Sequence, residues 1–188
     1  CADKGEVVKH ILSAIPQKAS VGISGSVTLD QIAVVKMLEA RGNEVFNQYK
    51  SGISREESLR LRQQGVQAEY YLTSANAVAV TGEMVFFSAY GNRTAGIAYA
   101  KKLIVTLGTN KIVPTLQEAL RRAREYVTPR NCQRLSWENT PCFKEGNCQE
   151  EICFSPEYRR MCCQIFIMEA DMIPERVSVY IVDEVLGL

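Results

Sequence analysis

Six of the chain's seven cysteines fall between Cys132 and Cys163. Four of them, Cys142, Cys148, Cys153 and Cys162, are separated by five, four and eight residues. Thiols gathered in one stretch of an otherwise ordinary sequence point to a metal or redox site; a disulfide framework would spread them through a small secreted domain. Four thiolates suit Zn²⁺ or an iron–sulfur cluster, with Cys132 or Cys163 available to replace one ligand. The spacing contains no Cys-x-x-Cys knuckle and matches no common ferredoxin run, so packed, reduced thiols without metal stand as an equal reading. The only histidine, His10, lies in an early helix far in sequence from every other candidate, which argues against Ser-His-Asp or Cys-His catalysis. An acid or base would then be a lysine, a cysteine or a carboxylate such as Glu83.

A second set of polar residues sits in turns that follow short apolar runs. In an open α/β sheet, ligands collect outside the carboxyl ends of strands, so these turns are where binding chemistry is expected. Gly22 to Thr28 reads GISGSVT and leads into a helix, which makes Gly25, Ser26 and Thr28 candidates to cradle a phosphate or carboxylate. This is neither a dinucleotide fingerprint nor a P-loop, so it names no nucleotide, and a plain strand-to-helix turn explains it equally. Asn76 in Ser74-Ala75-Asn76, Asn92 and Arg93 after Gly91, and Asn110 and Lys111 after Gly108-Thr109 complete the candidate ligand-binding set. Arg93 would grip an anion with a bidentate fork and Lys111 with a point charge. Taken singly, the asparagines also suit turns and the cations suit a solvated surface. Arg121, Arg122 and Arg124 share a helix with Glu118 and Glu125 and read as a solvated, partly paired face.

The elements that must hold these residues follow from periodicity and punctuation. Val7, Val8, Ile11, Leu12 and Ile15 recur at helical spacing up to Pro16, and Ala19 to Ile23 is a strand. Thr28 and Gln31 have the form of a capping box for a helix reaching Gly42, Glu44 to Asn47 is a strand, and Ser54 with Glu57 caps a helix closing at Gly65. Tyr70 to Thr73, Ala77 to Val80 and Met84 to Phe87 are strands, the last two a hairpin through Thr81-Gly82-Glu83 that makes part of the sheet antiparallel. Lys102 to Leu107 is a buried strand. Thr115 and Glu118 cap a helix running to about Val127 before Pro129, and Val177 to Val182 is the last strand. Strands alternating with capped helices predict a layered α/β/α fold with a mainly parallel sheet, in one domain spanning 1–188, with a Cys-rich segment at about 132–172.

Composition narrows the partners. With 46% apolar and 23% charged residues and a net charge of +1, nothing in the field of this chain favours nucleic acid or a membrane surface. No apolar run approaches the roughly 20 residues that span a bilayer, and the opening Cys1-Ala2-Asp3-Lys4-Gly5-Glu6 is too polar for a signal peptide, so the cytoplasm is the expected compartment.

Several motifs occur together in the order of a known family. They are Gly22 to Leu29, Thr73 to Ala77, Gly91-Asn92-Arg93, Gly108 to Pro114, Thr140-Pro141-Cys142 and the closing Val182 to Gly187. In these the chain resembles the short, single-domain branch of the LUD (lactate-utilisation) domain family. The resemblance implies a fold similar to the ribose-5-phosphate isomerase, glucosamine-6-phosphate deaminase and CoA-transferase group. It also implies association with lactate oxidation, whose longer relatives work beside iron–sulfur proteins, so an iron–sulfur oxidoreductase is the expected partner. With the strand-end residues, the leading expectation is a protein that binds a small anionic metabolite in lactate or related organic-acid utilisation. An isomerase or acyl/CoA-transferase activity, with Glu83 as the nearby carboxylate, and a Cys-cluster redox role are the alternatives. Relatives often carry an acidic pair before the hairpin glycine, where this chain has Val80-Thr81, and a further acid before Gly-Asn-Arg, where it has Ser88-Ala89-Tyr90. They also tend to separate the second and third cysteines by two residues, where here Gln149 to Ile152 intervene.

Overall fold

The structure, a computed structural model, describes residues 1–188. Helix α1 (Lys4–Ala14) starts where the Asp3 side chain accepts a hydrogen bond from the Glu6 N–H, and buries Val7, Val8 and Ile11. It ends because Ile15, preceding Pro16, is forced into extended backbone. Strand β1 (Val21–Ile23) then runs buried along its whole length.

The helix expected from Thr28 to Gly42 is two helices, α2 (Val27–Gln31) and α3 (Val34–Ala40), broken at Ala33, whose φ is 55°. Its cap is also displaced. Ser26, not Thr28, takes the N-cap position and accepts from the Leu29 N–H at 3.2 Å. Thr28 is fully buried and its hydroxyl receives the Ser74 hydroxyl at 3.2 Å, so packing has drawn it into the first turn.

Strand β2 (Val45–Phe46) and helix α4 (Arg55–Gly65) follow as expected, with Ser54 accepting from Glu57 N–H. Then come β3 (Tyr70–Thr73), β4 (Ala77–Ala79), β5 (Met84–Ser88), α5 (Asn92–Tyr99) and β6 (Lys102–Gly108). A single 3₁₀ turn over Thr109–Lys111 leads to β7 (Ile112–Val113) and α6 (Leu116–Arg121), capped by Thr115 as its sequence suggests. Beyond α6 the expected stop before Pro129 does not occur. The helix widens into a π segment, Arg122–Val127, and continues as α7 (Thr128–Arg134). Pro129 lacks an N–H and its ring crowds the carbonyl one turn back, and the wider turn accommodates both. Thr128 bonds Ala123 O through its backbone N–H and again through its hydroxyl, at 2.8 Å. Short helices α8 (Pro141–Glu145) and α9 (Glu150–Cys153) occupy the Cys-rich segment, and β8 (Gln164–Met168) and β9 (Val177–Val182) complete the elements.

The elements divide between two compact units. The first comprises residues 1–74, 92–110 and 171–187, and the second 75–91, 111–170 and 188. In the first, five strands in the order β2-β1-β3-β6-β9 pair in parallel throughout. Alternation along the strands sends their side chains to opposite faces. Val21, Ile23, Leu72 and Ile104 join Val7, Ile11, Leu29, Val35 and Leu38 of α1 to α3 in one core. Gly22 and Tyr71 point to the other face. There a Cβ on Gly22 would lie 1.9 Å from the Gly65 carbonyl oxygen, and one on Gly96 of α5 would lie 2.3 Å from the Tyr71 ring. Helices therefore cover both faces, as the sequence implies, and the absence of side chains at Gly22 and Gly96 lets α4 and α5 lie directly on the strands.

In the second unit the order is β7-β4-β5-β8. The hairpin of β4 and β5 turns at Gly82, with φ 109°, and Ala77 stands opposite Val85. These strands belong to a separate sheet rather than to an antiparallel margin of the parallel one. Strand β8, which the cysteine-centred reading of residues 132–172 did not anticipate, pairs antiparallel with β5 from Met84↔Met168 to Ser88↔Gln164. Ala77, Val85, Phe87, Ala119, Ala123 and Cys162 form a core of this unit.

Candidate functional site

The strongest convergence of reactive groups is in the second unit. One small cavity is lined by Cys142, Cys148, Cys153 and Cys162 together with Thr140, Arg124 and Arg160. Those four cysteines come from α8, the α8–α9 loop, α9 and the approach to β8, so the folding of a segment with little regular structure is what assembles them. Cys142 follows Pro141 in the first turn of α8, where a fixed φ suits the start of a helix. Gly146 at φ 72° ends that helix and turns the chain toward Cys148.

The cysteines differ in character. The sulfur of Cys142 lies 3.7 Å from that of Cys132 and 3.5 Å from the Thr140 hydroxyl. Hydrogen bonding within this pair draws the Cys142 thiol well below its ordinary pKa, with Thr140 assisting, and pushes the fully buried Cys132 upward. Burial, reinforced by neighbouring thiols, pushes Cys148 up to about 11. Cys153 is raised mainly by burial, with Arg160 opposing. Arg124 pairs with Glu150, and Arg160 lies 3.9 Å over the Phe154 ring with its Nη2 4.0 Å from the Cys162 sulfur. Cys163 does not line the cavity; its thiol faces the carbonyls of Ser88 and Ala89 at 3.6 and 3.5 Å.

The donor set, four sulfurs on one cavity, is of the type that Zn²⁺ or an iron–sulfur cluster takes. No three His, Cys, Asp or Glu side chains converge on one point as a metal site requires, so the thiols are gathered without being closed on a centre.

The expected strand-end ligand set divides between the units. In the first, Arg93 on α5 donates from Nη2 to Gly25 O, and Tyr49 stands against Gly25 so closely that a Cβ there would lie 2.5 Å from its hydroxyl. Burial lowers the Arg93 pKa, while the phenols of Tyr49 and Tyr71 favour its charge. Tyr71 is buried, which raises its phenol, and donates to Asn92 O at 3.0 Å. Ser24 and Thr73 share a hydrogen bond at 2.6 Å. Gly25, Ser26, Thr28, Asn92 and Arg93 thus belong to one polar neighbourhood at the ends of β1 and β3. Asn110 is engaged elsewhere, its Oδ1 accepting from Leu186 N–H at 3.0 Å, which pins the C-terminal segment beside Gly108.

In the second unit, Asn76 accepts from Phe87 N–H at 2.9 Å through its side chain, and Lys111, 5% exposed, donates to Ala75 O at 3.2 Å. Glu83 is in the hairpin turn, where the Thr81 hydroxyl donates to its carboxylate and lowers its pKa. The arginine run is not a solvated face as expected. Arg122 reaches Asn76 O at 2.7 Å and Leu188 O at 3.2 Å, Arg124 lines the thiol cavity, and only Arg121 is left as an exposed partner of Glu125. His10 is exposed on α1, 3.6 Å from Glu6.

The participation of Cys132, Thr140, Arg124 and Arg160 in the thiol site, and of Ser24, Thr73, Tyr49 and Tyr71 in the polar one, comes from tertiary placement. Of these, Cys132 carried a sequence signal as a cysteine upstream of the cluster, Ser24, Thr73 and Thr140 fell inside the motif strings, and Arg124 was read as a solvated face; Arg160, Tyr49 and Tyr71 carried none.

No helix is long and apolar enough to cross a membrane. A model of the LUD domain family matches residues 1–182. No curated protein matches the chain. Among solved structures, a DUF162 family protein from Deinococcus radiodurans is similar at 14% identity, covering 97% of this chain and 99% of that one, with a TM-score of 0.36. Another is eIF2B beta from Chaetomium thermophilum, at 18% identity over 61% of this chain and 44% of that one, with a TM-score of 0.42. Likenesses at these scores carry no inference about function.

Proposed function

Because the chain belongs to the LUD domain family, which supports a role related to lactate utilisation, we propose that its working chemistry resides in the thiol cavity of the second unit. Cys142, Cys148, Cys153 and Cys162 would hold an iron–sulfur cluster or Zn²⁺ there. The observation that carries this reading is that these four cysteines line a single cavity. A cluster would supply one-electron transfer to an iron–sulfur oxidoreductase partner in organic-acid oxidation, and zinc would supply structural closure. The chain's own contribution is to balance charge. Arg124 and Arg160 put positive groups on the cavity wall, where thiolates would otherwise repel one another.

Protein purified without oxygen is expected to carry iron or zinc at about one centre per chain, with a broad band near ~400 nm if iron. Cys148→Ser is expected to lose most of it. Wild-type protein with neither metal, or a Cys148→Ser variant that keeps its full complement, would sink the reading.

A second reading is favoured by the Arg93 guanidinium, which donates to the Gly25 carbonyl between Ser24 and Ser26 in the loop after β1. Here the first unit binds a small anionic metabolite, with Arg93 as the principal charge. Titration calorimetry with carboxylates, sugar phosphates and CoA esters is expected to find a ligand whose affinity falls about tenfold or more in Arg93→Ala, the loss of one charge-assisted contact. Equal affinities in both proteins would exclude this role for Arg93.

A further inference from the structure

Cys132 takes no part in lining the thiol cavity, yet its sulfur is 3.7 Å from that of Cys142. The two belong to helices that pack together, α7 and the first turn of α8. Cys132 is fully buried, while Cys142 is half-buried on the wall of a cavity open to solvent. Two sulfurs in contact need only a small further approach to reach the S–S bond length of about 2.05 Å. The nine residues between them include Ser136 at φ 49°, which gives the connection the tight bend that brings α8 back onto α7.

We propose that Cys132 and Cys142 form a reversible dithiol–disulfide couple, with Cys142 as the entry thiol and Cys132 as the resolving thiol, exchanging with a low-molecular-weight disulfide. The division of labour follows from access, because a small disulfide entering the cavity meets Cys142 and cannot meet Cys132. The Cys142 thiolate attacks one sulfur of the incoming disulfide; that S–S bond breaks, and one small thiolate leaves and takes up the proton lost by Cys142. Cys132 then gives up its proton and attacks the Cys142 sulfur in the mixed disulfide. The second small thiol leaves carrying that proton. In sum, two protein thiols are oxidised to one disulfide and the small disulfide is reduced to two thiols.

The couple shares Cys142 with the proposed metal centre and would compete with it for that thiol, so oxidation would remove one of the four ligands. The test uses the full chain in mixtures of reduced and oxidised glutathione, quenched with acid, alkylated and read by mass spectrometry of peptides. The expected result is a Cys132–Cys142 linkage about tenfold more abundant than any other pairing, reversed by excess reduced glutathione. Cys132→Ser should instead accumulate glutathione on Cys142, and Cys142→Ser should abolish both products. The same linkage is expected in Cys148→Ser, which cannot complete the proposed metal centre and so leaves Cys142 open. Absence of the linkage in Cys148→Ser, or a dominant pairing of Cys142 with Cys153 or Cys162 there, would overturn the couple. Because Cys132→Ser retains all four proposed ligands, its metal content reports on that centre separately, so failure of one reading is distinguishable from failure of the other.

Discussion

Gly22→Ala is expected to destabilise the chain by about 3 kcal/mol or more, a large part of the 5–15 kcal/mol that a domain typically has. The added methyl would lie 1.9 Å from the carbonyl oxygen of Gly65, 2.7 Å from its carbonyl carbon and 2.9 Å from the Tyr71 ring. A flexible side chain would swing aside at small cost. The obstacle here is the backbone at the end of α4, so relief requires moving the helix off β1, which also opens the packing around Tyr71. The same contact is asymmetric: a methyl on Gly65 would find Phe46 Cβ at 3.4 Å and Gly22 Cα at 3.5 Å, which is ordinary contact. Gly65→Ala should therefore fold with unchanged or slightly greater stability, since alanine is the better helix former by roughly 0.5–1 kcal/mol. Urea unfolding of the two variants checks the pair. Equal midpoints for both would show that α4 does not lie on β1 as described.

Arg176→Met is the second large effect, with an expected loss of about 3 kcal/mol, as for buried acceptors left without their charged donor. Arg176 is 6% exposed and uses its guanidinium in two directions. Nε donates to Asp171 Oδ2 at 2.8 Å and Nη2 donates to the same oxygen, while Nη1 donates to the Ile97 and Ala100 carbonyls at 3.1 and 3.0 Å. Ile97 is in the last turn of α5 and Ala100 follows its end, where a helix leaves acceptors without partners and a cation is favoured. Methionine would fill most of the volume but strand the carbonyls and the Asp171 carboxylate.

The hydrogen bond from Arg176 holds Asp171 below the ordinary carboxylate range, with the Ile173 N–H assisting. A depressed native pKa adds stability that is present above the unfolded pKa and lost as pH falls through the native one. The gap between wild type and Arg176→Met should accordingly be full at neutral pH and narrow in acid. Thermal unfolding across that range measures it, and a gap that stays constant or widens in acid would contradict the pairing.

Both predictions rest on contacts that the local sequence hints at only faintly. Gly22 reads as part of the Ala19 to Ile23 strand, but nothing local marks it as the point where α4 lies on β1, because its reason is the neighbour 43 positions along the chain. Arg176 lies in a polar stretch with no motif. The caps at Ser54 and Thr115, the alternation of helix and strand, and the hairpin at Gly82 were legible because each depends on residues within one or two turns. The Thr28 cap and the end at Pro129 failed as readings because burial pulled one hydroxyl inward, toward Ser74, and a π turn absorbed the proline. Helix α5 was missed because Asn92 to Tyr99 has a glycine inside it and a single large aliphatic residue, Ile97, and that glycine is where the Tyr71 ring lies.

The types of residue that do chemistry were determined by the sequence itself. It places six cysteines in one late stretch, keeps the single histidine apart, and matches the LUD domain family over residues 1–182. Which of those cysteines meet was decided only in three dimensions. Cys142, Cys148, Cys153 and Cys162 share a cavity, Cys132 comes into contact with Cys142 from α7, and Cys163 turns away to carbonyls of the β5 end. The physical reason is range: capping, turn formation and periodicity act over a few residues and leave local marks, whereas the approach of two sulfurs depends on how whole helices pack, which no short stretch of sequence encodes alone.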